Sequence, residues 1–193
     1  YAELVAERAR EAGATIRTDT EVAVTTDPGV VTPDGTERFD AVLVAAGAHT
    51  RPLLAEAGVA VPIKAYRVQA AVTEPTAASE EVPTLYDATA EFYWRARDGG
   101  LLVGDGVEKR DFDPDHWDRT ADDAFVAAAL DRVDAALATD AHRPTDVQRA
   151  WAGLCTATPD RDPLVGELES RLFVAAGWHG HGFMRAPALG RGG

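Results

Sequence analysis

The 193-residue sequence is short of several things on which a function could rest. It has one cysteine, Cys155, so no internal disulfide can form and the chain fits a reducing compartment. Lysine occurs only at Lys64 and Lys109, and 32 acidic residues outweigh 19 basic ones, for a net charge of -13. A field of that sign repels phosphate backbones, which argues against nucleic acid as a partner. No apolar run reaches the roughly 18 residues of a membrane-spanning helix. The opening YAELVAERAREAG is a charged helical pattern, not a signal peptide. There is no G-x-G-x-x-G opening a βαβ unit and no G-x-x-x-x-G-K-[ST] loop, so a complete dinucleotide-phosphate cradle is missing from this sequence. Together these absences lead us to expect a soluble, cytoplasmic protein that acts on neither nucleic acid nor membrane.

What is present is globular material, with 46% hydrophobic and 26% charged residues. At about 150 residues per domain the length suits one large domain, or one domain carrying pieces of another. Aspartate and glutamate in excess, with arginine in place of lysine, match the solvated surface of a halophilic protein, where salt screens self-repulsion; the plainer alternative is an acidic protein.

Residues 2–12 set Leu4, Val5 and Ala9 on one helical face, and Gly13 ends the pattern. TIRTDTEVAVTT reads as short strands, and the DPG and PDG turns that follow make this region a small antiparallel ribbon. DAVLVAAG at 40–47 and RLFVAAG at 171–177 are apolar runs that suit strands buried on both faces. Between them, 63–73, 91–97 and 100–105 read as antiparallel strands with one wet face, and 119–138 as a helix. Residues 146–156 return to strand. The buried strands therefore enclose an insertion. We expect a mixed α/β and α+β fold in which one layer is built from both ends of the chain, 1–61 and 146–193, and residues 62–145 form an inserted antiparallel domain with flanking helices.

Small residues at the carboxyl end of a buried strand, here Ala46 and Gly47, let backbone approach a ligand, although a tight strand-to-helix turn explains them too. GWHGHGFM at 177–184 combines glycines with a helix start, a geometry suited to an anionic or electron-rich ligand edge. His179 and His181 alternate and could share a metal, but no third ligand has recognisable spacing, so no metal is expected. Cys155 reads equally as a small buried hydrophobe or as a site residue, and no signature supports a Cys/His nucleophile. Tyr93 and Arg95 suit a pocket wall for a small amine or carboxylate, or an ordinary alternating strand.

Four segments in order, DAVLVAAGAHT, YWRARDGGLLVGDG, WAGLCTATPDRDPLVG and AAGWHGHGFMRAPALG, resemble the FAD-dependent oxidoreductases of the D-amino-acid oxidase superfamily, the glycine oxidase, sarcosine oxidase and dimethylglycine dehydrogenase group. The resemblance covers nearly the whole sequence. It implies a partial Rossmann-like FAD domain interrupted by an antiparallel substrate domain, and a chain that lacks the family's N-terminal FAD-binding segment and is a fragment or truncated product. It implies FAD held non-covalently, and not tightly without that segment. The FAD contacts it implies are Val22, Ala46, Gly47, Gly180, His181, Gly182, Phe183 and Met184, with the segment 180–184 passing the flavin ring. Tyr93 and Cys155 would face a small amine or amino-acid substrate, oxidised by hydride transfer to flavin with later hydrolysis of the imine, and Arg95 is a further candidate for binding its carboxylate. Cys155 stands where D-amino-acid oxidase and glycine oxidase carry a carboxylate-gripping arginine, Met184 where monomeric sarcosine oxidase has a lysine, and His49 where an aromatic is common. Surfaces left open by truncation would favour self-association. The competing expectation is a non-catalytic binding or assembly module with a degenerate flavin fold.

Overall fold

In a computed structural model, residues 1–137 and 144–190 are described, with backbone alone at 78, 80, 105 and 106. Helix α1 (Ala2–Glu11) places Glu3 in its first turn and Arg8 and Arg10 in its last, in accord with the helix dipole, yet buries none of its residues. Strands β1 (Ala23–Thr25), β2 (Gly29–Thr32) and β3 (Gly35–Arg38) form the antiparallel ribbon. The strand expected over TIRTDT does not form. There Thr20 donates to the Thr18 carbonyl and Arg17 forks onto Glu37, local side-chain bonds that offer the chain an alternative to a ladder.

Strand β4 (Val42–Val44) runs into a 3-10 turn at Gly47–His49 and helix α2 (Thr50–Glu56). Next come β5 (Lys64–Thr73), β6 (Leu85–Asp87), β7 (Phe92–Arg97), β8 (Gly100–Glu108) and helix α3 (Asp123–Ala136). The chain returns through β9 (Val147–Ala157), β10 (Leu164–Glu169), β11 (Leu172–Ala176) and helix α4 (Gly182–Leu189). Residue 138 of the expected helix and residues 191–193 of the final segment lie outside the described residues.

Two sheets carry the architecture. One has the order β10-β11-β4, with β11 antiparallel to β10 and parallel to β4, so both ends of the chain do share a layer. The other is antiparallel, in the order β6-β7-β8-β5-β9. Strand β9 pairs along the length of β5, so the crossover between the sheets falls after Ala157, not at residue 146. The expectation that the 40–47 strand is buried on both faces needs correction. Val42 and Val44 pack into a cluster with Leu54, Ile63, Leu172 and Val174, but Leu43, on the opposite face, is 61% exposed. Phe173 and Ala175, beside it on the same face of β11, are only half-buried.

The five-stranded sheet is sealed on one side by α3, whose Phe125, Ala129 and Val133 meet Ala71, Leu101 and Val103. Arg67, 3% exposed, anchors the start of that helix. Its guanidinium forks onto Asp122, donates to Glu108, and reaches the carbonyls of Asp118 and Thr120. Asp122 is the N-cap by position, but its carboxylate serves Arg67 and Gln69 in place of capping the helix. The Arg67 contact, followed by Gln69, holds that carboxyl below the usual range.

Candidate functional site

Because β4 and β11 are parallel, with Val44 opposite Val174, their carboxyl ends lie side by side. Each leads into a turn with positive φ, at Gly47 (+57°) and at Gly177 (+81°), His179 (+50°) and Gly180 (+79°). In open α/β sheets ligands sit beyond this edge. Cβ atoms built on Gly47 or Gly180 would meet nothing within 4 Å, so the backbone there is open to approach. The end of β9 is the third component. Thr156 accepts from His179 N–H through its carbonyl at 2.9 Å and from Gly177 N–H through Oγ1 at 3.1 Å, and the Gly47–His49 turn packs beside the same strand. Helix α4 starts there with no side-chain cap, so its first amides have no acceptor within the helix and carry the positive end of its dipole.

Strand register defines the sheet face turned away from α3. Tyr86, Tyr93, Gly104, Ala70 and Trp151 form one row across all five strands. A Cβ on Gly104 would overlap the Tyr93 ring, so that ring lies across the glycine. Two residues further along are Val68 and Gly153, and two beyond those are Tyr66 and Cys155, facing each other across β5 and β9. Burial pushes the Tyr66 phenol up to about 12, with Cys155 beside it, and burial also pushes the Cys155 thiol up. A thiol held protonated is no ready nucleophile.

The residues singled out in the sequence do not all meet. Ala46 and Gly47 lie in the turn after β4, Gly180 and His181 in the turn after β11, and Gly182, Phe183 and Met184 in the first turn of α4. Phe183 and Met184 are 74% and 70% exposed, and Phe183 makes an edge contact with Tyr1 at 5.1 Å. Val22 is exposed in the irregular stretch just ahead of β1. Cys155 borders the turns, but Tyr93 shares only its face. Three strand spacings of about 4.8 Å and four residues of about 3.4 Å separate them, roughly 14 Å in each direction on a flat sheet. Arg95, in the row with Leu102, Val72 and Arg149, is carried two residues further from the turns. Tyr66 and Gly104 were missed, although strand alternation through 63–73 and 100–105 would have put them on the wet face.

A cavity of about 490 Å³ lies on the other face, against Arg67, lined by Glu108, Asp111, Asp113, Asp118 and Asp122. Its carboxylates are engaged by Arg67, Arg51, His116 and the backbone amides of Ala65 and Thr120, so it reads as part of the scaffold. No group of three or more His, Cys, Asp or Glu among the described residues could hold a metal, and no described helix is long and apolar enough to cross a membrane.

The fold and its edge thus define an α/β scaffold with an antiparallel insertion and open backbone at parallel strand ends. Residues 1–192 match the family of FAD dependent oxidoreductases, and the chain belongs to it. The 4-methylaminobutanoate oxidase (formaldehyde-forming) of Paenarthrobacter nicotinovorans is 33% identical over 180 residues, 84% of this chain and 21% of that protein. Glycine oxidase of Pseudomonas aeruginosa is 29% identical over 164 residues, 83% of this chain and 42% of the enzyme. Among solved structures, L-proline dehydrogenase from P. horikoshii superposes with a TM-score of 0.77 at 29% identity, over 96% of this chain and 51% of its own. The chain therefore spans about half or less of the length of these relatives.

The family's cofactor is FAD, and the residues present fit part of it. Open glycines, uncapped amides at the start of α4 and the exposed Phe183 ring suit the flat ring system of a flavin. No glycine-rich phosphate loop of the G-x-G-x-x-G kind occurs in the sequence to receive the pyrophosphate.

Proposed function

We propose that this chain supplies the substrate sheet and the closing part of the flavin domain of an FAD-dependent oxidoreductase acting on a secondary amine or amino acid of the sarcosine, glycine or dimethylglycine kind. The observation that carries this reading is the convergence of the β9 end with the two turns at the parallel strand ends. The names of the relatives support the substrate class, since 4-methylaminobutanoate and proline are both secondary amines.

In this reading the turn 180–184 and the start of α4 hold the pyrimidine end of the ring, where backbone N–H groups and the helix dipole favour negative charge. Ala46 and Gly47 border the ribose and phosphates, and Val22 the adenine side. When bound, the flavin supplies the two-electron acceptor for oxidation of the carbon next to nitrogen. Cys155 and Tyr66 face the reacting end of the substrate as protonated groups, able to donate a hydrogen bond and unsuited to attack. Tyr93 and Trp151 extend the wall along the same face. We assign no substrate contact to Arg95, because the register takes it to the far end of the sheet. FAD is held non-covalently and weakly by this chain alone, and the bare face at Leu43 makes the isolated chain prone to self-association. The compartment is cytoplasmic.

The test is to join this chain behind the N-terminal half of a full-length relative. A yellow protein bleached anaerobically by N-methyl amino acids is expected. A folded but colourless protein overturns the reading.

A further inference from the structure

We propose that His179 is a positioning residue: as a neutral imidazole it buttons the turn after β11 onto the end of β9, and so sets where the first turn of α4 lies. The inference rests on the reading of that edge as the flavin and substrate site.

The Thr158 N–H donates to His179 Nε2 at 2.9 Å. An N–H donor needs a lone pair, so Nε2 is unprotonated and the ring proton sits on Nδ1. The Thr158 hydroxyl, 3.1 Å from Nε2, donates instead to the Asp162 carbonyl at 2.6 Å. With the His179 N–H bonded to the Thr156 carbonyl, one residue is tied to β9 through both backbone and side chain. It is held in this way at φ +50°, where a side chain is disfavoured, in a turn whose Gly177 and Gly180 adopt such angles freely. Two further bonds carry the constraint forward, from His181 N–H to the Trp178 carbonyl and from Arg185 N–H to the His181 carbonyl. In the other direction Thr156 adjoins Cys155.

Protonation would set a second N–H against that of Thr158 and open the clamp. The charged and titratable groups that act on the ring are His181 and Arg185 from the turn and α4, and Arg161 and Asp160 from the β9–β10 loop. Burial, then His181 and Arg161, keep His179 below its ordinary range against the opposing pull of Asp160.

In the 193-residue chain, nitrogen NMR should find the His179 ring nitrogens and the Thr158 amide titrating together, with a midpoint below 6.5. His179→Gln, whose amide oxygen accepts the same N–H, should keep the Thr158 amide bonded and abolish its titration, whereas His179→Phe should lose the bond. In the flavin-loaded fusion, wild-type affinity should weaken by up to about tenfold per pH unit below the midpoint, and the glutamine variant should lose that dependence. A Thr158 amide indifferent to pH in wild type, or still titrating in His179→Gln, overturns the proposal whether or not flavin binds. A clamp that titrates as stated in a fusion that never binds flavin overturns the functional reading, and with it the role of His179 toward the flavin.

Discussion

On the five-stranded sheet, α3 lays Phe125, Ala129 and Val133 against Ala71, Leu101 and Val103, and Arg67 binds the helix start with most of its donors in use. On the β10-β11-β4 sheet the picture is different. Leu43 stands bare on one face, and α1 and α4 bury none of their residues. Leu4, Val5, Phe183 and Met184 remain open on those helices. The first unit closes its core with residues of this chain. The second closes only one side, and its apolar surface is the kind that another segment or molecule covers. The five-stranded sheet is thus packed from within this chain, whereas the β10-β11-β4 sheet keeps apolar side chains open on one face.

This contrast can be broken at several points. Leu101→Ala, in the closed core, should cost about 3 kcal/mol through lost transfer energy and a cavity, read as a lower midpoint in urea. Arg67→Met should cost about 2 kcal/mol, since the carbonyls of Asp118 and Thr120 lose their donor while the carboxylates of Asp122 and Glu108 can still reach water. Arg67→Lys should recover only part of this, because an ammonium cannot fork. Gly104→Ala should cost about 1 kcal/mol by overpacking against the Tyr93 ring. Combining it with Tyr93→Ala should prove clearly less than additive in denaturation. At Leu43, Leu43→Ser should stay within about 0.5 kcal/mol of wild type in this chain. A large loss there would mean that the face is already covered, and the contrast between the two sheets would fail.

Much of this was legible in the sequence where the signal is local. Of Phe125, Leu130, Val133 and Leu137, which stand near helical spacing, Phe125 and Val133 lie in the buried stripe of α3, Leu137 is buried at its C-cap and Leu130 is only half-buried. The runs VLV and LFVAA mark β4 and β11. The ordered motifs carried the family. Where pairing partners decide, the sequence was less informative. TIRTDT has strand composition but found no ladder, and β9 looked like part of the outer layer but pairs with β5.

The sequence by itself determined helices α1 and α3, strands β4 and β11 with antiparallel strands inserted between them, and the family, because periodicity and motif spacing are properties of neighbouring residues. Only the tertiary structure decided that Tyr66 meets Cys155, that Tyr93 and Arg95 stand away from the turns, that His179 holds Thr158, and that one face of β4 is bare. Those facts follow from register and strand order, which join residues far apart in the chain and in which a slip of one residue would turn a side chain to the other face.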